Sequence, residues 1–139
     1  MKVECFEKLP SEAMDIRKTV FIDEQGFQNE FDNLDDVALH FLAFEENGSP
    51  VATCRLYFDT ERKSFVLGRL AVTREYRGRH IGAYLINAAE EHVKAAGGGQ
   101  IQLHAQCRIK DFYARLGFLP LGQEDDDEGR PHIWMKKEL

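Results

Sequence analysis

The chain has 139 residues, 43% of them apolar and 30% charged, with a net charge of −6. That length suits one domain spanning residues 1–139, and that balance excludes both a disordered chain and broad attraction to nucleic acid. No apolar run reaches membrane-spanning length and no signal-peptide core follows Met1, while the three cysteines, Cys5, Cys54 and Cys107, are scattered without metal-ligand spacing, so a cytoplasmic protein with reduced thiols and no metal is expected.

Met1 to Phe6 reads as a first strand. Pro10-Ser11 opens a helix, with Ser11 as the expected N-cap and Ala13, Ile16, Val20 and Phe21 as its apolar stripe, ending near Gln25-Gly26. From Phe21 to Phe44 there are six acids and no Lys or Arg. This stretch is expected to be a loop or short helix, either solvated or attractive to a cationic amine. Leu39–Phe44 and Val51–Phe58 form a hairpin across Asn47-Gly48-Ser49-Pro50, and Phe65–Val72 is a further strand. Ile81, Leu85, Ala88, His92 and Ala96 then follow helical spacing until Gly97-Gly98-Gly99 stops the run. Ile101, Leu103 and Ala105 alternate with Gln102, His104 and Gln106, as in a strand with two different faces. Ile109 to Leu116 is a short helix closed by Gly117. Phe118–Leu121 and His132–Lys136 pair across an acidic loop, Glu124 to Gly129. The order β-α-β-β-β-α-β-α-β-β implies an α/β, or mixed α+β-like, fold with a mixed sheet.

The sharpest chemical signal is the passage from the Leu70-Ala71-Val72 strand through Arg74, Arg77, Gly78, Arg79 and His80 into the helix at Ile81-Gly82. The first turn of a helix has amides without partners and carries partial positive charge, so a basic, glycine-containing loop there is an anion site suited to a pyrophosphate. An ordinary strand-to-helix turn with solvated arginines is the bland alternative. G-x-G-x-x-G is absent, which argues against a dinucleotide fold.

Arg77-Gly78-Arg79-His80-Ile81-Gly82 after Val72 resembles the coenzyme A signature of the GNAT N-acetyltransferases, (Gln/Arg)-x-x-Gly-x-(Gly/Ala), with His80 standing where the middle glycine is usual. Phe112-Tyr113-Ala114-Arg115-Leu116-Gly117-Phe118 resembles the family's second signature. Val20–Phe27 and Gly129–Met135 are similar to the ElaA/YjcF-like branch. The resemblance implies a splayed sheet that takes acetyl-coenzyme A between the Phe65–Val72 and Ile101–Gln106 strands. Main-chain groups of Leu70, Ala71 and Val72 would hold pantetheine, and Arg77 to Gly82 the pyrophosphate, with Phe112 and Tyr113 beside it. The Val72 N–H would stabilise charge on the thioester oxygen.

Within that frame Tyr113 is the expected proton donor to the departing thiolate. The base that deprotonates the amine stays open among Glu24, Glu30, His40 and His104, with Glu24 and His104 as the catalytic candidates. Arg55 and Arg69 are expected to pair with the acidic segment, although they could clamp a substrate carboxylate. His132 is either near the cleft or satisfied within its hairpin. The implied activity is direct transfer, in a ternary complex, from acetyl-coenzyme A to a small-molecule or peptide amine. No nucleic-acid or membrane partner is implied, and exposed strand edges are compatible with a homodimer. A non-catalytic acetyl-coenzyme A sensor and an unrelated nucleotide-binding domain are the rival readings.

Overall fold

Alternation of apolar and polar residues builds the sheet, and helical stripes cover it. In the computed structural model, which describes residues 1–139, the strands are β1 (Lys2–Phe6), β2 (Leu39–Phe44), β3 (Pro50–Asp59), β4 (Ser64–Val72), β5 (Gln100–Gln106), β6 (Leu119–Asp127) and β7 (Arg130–Glu138). They form one mixed sheet in the order β1-β2-β3-β4-β5-β7-β6. Every neighbouring pair is antiparallel except β4 and β5, which are joined through helix α2 (Ile81–Ala95). The mixed α/β class expected from the element order is therefore the fold found.

One face of the sheet receives α2. Leu85, Ile86, Ala89 and Val93 pack there with Ile101, Leu103 and Ala105, all at most 2% exposed. Full burial of each of the larger side chains contributes roughly 1.5–3 kcal/mol. The other face receives α1 (Ser11–Arg17) and the turn that follows, through Ala13, Ile16, Val20 and Phe21 against Leu42 and Ala71. Gln102, His104 and Gln106 point away from the α2 core. Helix α3 (Lys110–Arg115) ends at Gly117, whose φ of +98° reverses the chain into Phe118.

Three local features differ from expectation. Ser11 is the first helical residue rather than the cap: Pro10 holds the cap position, and the Ser11 hydroxyl bonds Glu12. The helix does not continue as α but widens into a π-helical stretch, Lys18–Glu24, which buries Val20 and Phe21 and carries Glu24 toward the next arginine-rich loop. The acidic stretch expected to be loop belongs largely to β6, which pairs with β7 out to Asp127 and slips register between Leu121 and Asp125. Pairing to β7 outweighs the poor strand propensity of aspartates that remain exposed on the outer strand.

The β3–β4 pairing also slips, between Thr53 and Arg55, with Arg69 at φ +53°. This bulge inserts a residue into β4 and bends it. β4 and β5 are paired only at Phe65–Ile101, Val66–Gln102 and Leu67–Leu103. Beyond the bulge the strands part.

Candidate active site

The loop after β4 ends in an open helix start. Thr73 leads into a short 3-10 turn, Arg74–Tyr76; Gly78 takes φ +80°, and His80 caps α2 with φ +62°. No side chain caps that helix, and its first helical bond runs from Tyr84 N to His80 O. The amides of the first turn are left for an external acceptor. Gly82 lies where a Cβ would come within 3.3 Å of Phe112 and 3.7 Å of Leu70, so the helix start is pressed against α3 and β4.

The main chain of β4 faces the gap beside this loop. Thr73 N donates to Val51 O on the β3 side. Alternation therefore turns the Val72 amide to the opposite side, toward the gap. The Val72 carbonyl accepts from Arg77 Nε at 2.9 Å, and Arg77 Nη2 bonds Glu24 Oε1 at 2.8 Å. Glu24 thus anchors the loop arginine and does not line the cleft. Arg79 lies over the Tyr76 ring at 5.0 Å, and Thr73 Oγ1 is buried without a partner at the head of the loop.

A cleft of about 580 Å³ opens where β4 and β5 part. Leu70, Ile109 and Tyr113 lie at its floor end, Phe21, Phe27 and Phe31 form an aromatic wall, and His104, Gln106 and His132 line the sheet side. Tyr113 is at once a core side chain and a cleft residue. It is 6% exposed and packs edge-on against Phe112 and Phe118, yet it reaches the cleft. Burial raises its pKa, so the phenol is protonated at neutral pH. Cys107 lies just beyond β5, its thiol held protonated by burial and by Glu124.

His104 Nε2 stands 2.7 Å from Asp125 Oδ1. Its ring stacks on Trp134 at 4.8 Å and lies against His132 at 4.7 Å. The structure therefore brings Tyr113 and His104 to one cleft. His40 lies elsewhere: it is 1% exposed, burial lowers its pKa, and its Nε2 bonds the Asp35 carbonyl.

The acidic segment is not a solvated loop but half of a buried ion network. Arg17 bonds Glu30 at 2.7 Å and Asp35 at 2.7 Å, Arg55 bonds Asp32 and Asp35, and Arg69 reaches Glu30 and Asp32. Three guanidiniums meet three carboxylates, so Arg55 and Arg69 are occupied and no empty carboxylate clamp remains. The hairpin closes over the same region. The Glu128 carboxylate accepts from the amides of Gln28 and Asn29 at 2.9 and 3.1 Å, and Arg130 donates to the Gln25 carbonyl. In sequence Glu128 belongs only to an acidic loop; its partners lie about a hundred positions away, beyond any local signal.

A sheet parted at its parallel junction, with an uncapped helix behind the gap and an open cleft in front, is the architecture of an acyltransferase that uses an acyl-coenzyme A. Residues 7–139 match the model of the acetyltransferase (GNAT) domain, and the chain belongs to that family. YyaT of Bacillus subtilis is 34% identical over 135 residues, 92% of this chain and 88% of its own. ElaA of Escherichia coli is 29% identical over 91% of this chain and 85% of its own. The ElaA crystal structure superposes with a TM-score of 0.85 over 99% of each chain. An aminoglycoside 6'-N-acetyltransferase solved with coenzyme A shares the fold at a TM-score of 0.79 and 17% identity, over 99% of this chain and 97% of its own. No helix is long and apolar enough to cross a membrane.

Proposed function

We propose that this acyltransferase passes the acetyl group of acetyl-coenzyme A to a primary amine by direct attack within a ternary complex. The observation that carries the reading is the uncapped start of α2 beside the parted β4 and β5, opening onto the cleft that Tyr113 enters. The stretch Arg77, Gly78, Arg79, His80, Ile81 and Gly82 would hold the pyrophosphate through helix-start amides, with the Arg79 guanidinium beside them and Arg77 bracing the loop through Val72 and Glu24. Leu70, Ala71 and Val72 would take the pantetheine arm on their free edge, with Phe112 packed behind Gly82. The bound thioester supplies an activated acyl carbon. The gap-facing Val72 amide suits the negative charge that develops on its oxygen.

Tyr113, kept protonated by burial, is the donor to the leaving thiolate. The imidazole side of the cleft, where His104 stands beside Asp125, receives protons from the amine. Glu24 serves the loop by fixing Arg77 rather than meeting the acceptor. A protonated Cys107 favours direct transfer over an acetyl-enzyme. The test is thermal unfolding with acetyl-coenzyme A, using NAD and ATP as controls. Ligand at a hundred times its dissociation constant adds roughly 2.7 kcal/mol. For a chain of this length that is a rise of roughly 9 °C. Equal shifts with NAD or ATP, or no shift with acetyl-coenzyme A, would sink the reading.

A further inference from the structure

A histidine of the β6–β7 hairpin lies in the cleft with one ring nitrogen bonded and the other open. His132 is 5% exposed, and its Nδ1 lies 2.8 Å from the Arg130 carbonyl oxygen. A carbonyl only accepts, so in the neutral ring Nδ1 carries the hydrogen and Nε2 the lone pair. Nε2 has no partner in the protein, yet it is not sealed off, and the residue lines the cleft that Tyr113 enters. The ring is fixed edge-on to Phe27 at 6.4 Å and tilted against His104 at 4.7 Å.

We infer that His132 Nε2 is the base that takes a proton from the acceptor amine, an assignment that rests on the acetyltransferase reading. His104 is less available, with Nε2 engaged by Asp125 and its ring faces covered by Trp134 and His132. The charged groups facing His132 set the approach. Of the carboxylates that line the cleft, Glu30 and Asp32 are held by arginines and Glu128 by the amides of Gln28 and Asn29, which leaves Asp127 to meet a cationic amine. Arg69, the cation lining the cleft, is held by Glu30 and Asp32, and Arg130, on β7 with His132, lies over the Phe27 ring.

The proton balance closes. The acceptor enters as an ammonium with three N–H bonds and leaves as an amide with one, so it loses two protons. His132 Nε2 takes the first, freeing the lone pair that forms the N–C bond, and returns that proton to solvent. As the C–S bond breaks, the thiolate takes a proton from Tyr113, and the second N–H proton restores the phenol.

The experiment compares wild type with His132→Gln, using 1,4-diaminobutane, lysine and kanamycin as probe amines. The variant is expected to lose kcat/KM by about 10²-fold at pH 7. It should keep the acetyl-coenzyme A thermal shift, and its residual rate should climb with pH as free amine accumulates. A rate within threefold of wild type, with the same pH profile, overturns the assignment. Should the variant fail to fold, ¹⁵N spectra of the native imidazoles decide: Nε2 bare and Nδ1 protonated on His132 supports it, and the opposite tautomer overturns it. A wild type that neither binds acetyl-coenzyme A nor acetylates any probe removes the acetyltransferase reading and this role together. A wild type that does both while the variant keeps pace removes His132 alone.

Discussion

Replacing Asp35 by asparagine tests whether the buried ion network is held by that one carboxylate. Asp35 accepts from Arg17 Nη1 at 2.7 Å, Arg17 Nη2 at 3.1 Å and Arg55 Nη1 at 3.0 Å. Its second oxygen also accepts from the Asp32 amide at 3.2 Å. Burial pushes its carboxyl up, but the hydrogen bonds and charge of Arg17, aided by the Asp32 amide and Arg55, hold it at about 2 against an ordinary 3.8. A difference near two units corresponds to about 2.5 kcal/mol of stability. Breaking a buried pair from one side costs roughly 3–5 kcal/mol. Asp35→Asn should therefore lose about 3 kcal/mol, a fall of roughly 10 °C in Tm.

The pH dependence has a definite sign. A carboxyl depressed by folding contributes fully above its unfolded value and loses that contribution as pH falls through the folded one. The gap between wild type and Asp35→Asn should thus be full at pH 5 and shrink toward pH 2. Glu30 behaves oppositely, because burial outweighs Arg69 and Arg17 and holds its pKa above 4.5. Its charge costs stability at neutral pH, and that cost fades on acidification. Glu30→Gln should then lose less than Asp35→Asn, and its gap to wild type should not shrink on acidification. Urea unfolding of both variants at pH 7, 5 and 2.5 measures these quantities. A Glu30→Gln loss equal to that of Asp35→Asn, or an Asp35→Asn gap unchanged at pH 2.5, would refute the account.

Gly98→Ala places a Cβ 2.5 Å from Val93 Cγ1 and 3.1 Å from the Phe65 ring, so it should cost about 1–3 kcal/mol in denaturant unfolding. Gly99→Ala, with nothing within 4 Å, is the control and should stay near wild type. His80→Gly removes a side chain from a left-handed position, which should gain about 0.5–1 kcal/mol after the added freedom of the unfolded chain, while the acetyl-coenzyme A shift is kept. Tyr113→Phe should fold as wild type and lower kcat by about 10²-fold in a thiol-release assay; unchanged turnover would take Tyr113 out of the reaction.

Much of the sheet was legible because its residues alternate. Ile101, Leu103 and Ala105 declare one face of β5 and Gln102, His104 and Gln106 the other. The loop that opens α2 was legible as a strand-to-helix junction from the change of period at Ile81, while its reading as an anion site leaned on the family resemblance. The ion network was not. In sequence, Glu30, Asp32 and Asp35 look like an acidic loop, and their arginines come from α1, β3 and β4, up to 39 positions away. The far half of β6 was hidden because five successive acids, Glu124 to Glu128, read as a turn, and pairing with β7 is a tertiary decision. The open nitrogen of His132 was equally invisible, since it depends on which ring atom meets the Arg130 carbonyl.

Three residue pairs alone stitch the β1–β4 half of the sheet to the β5–β7 half. Mechanically this is a seam, and the bulge at Arg69 is where the stitching stops. A sheet resists shear through its hydrogen-bond ladder, and here half the ladder is missing along one line. The cleft is the space that those missing rungs leave. An extended ligand arm lying against the free edge of β4 would act as a splint. The molecule would be stiffest when loaded, and the same missing rungs that admit the arm would set how readily it leaves.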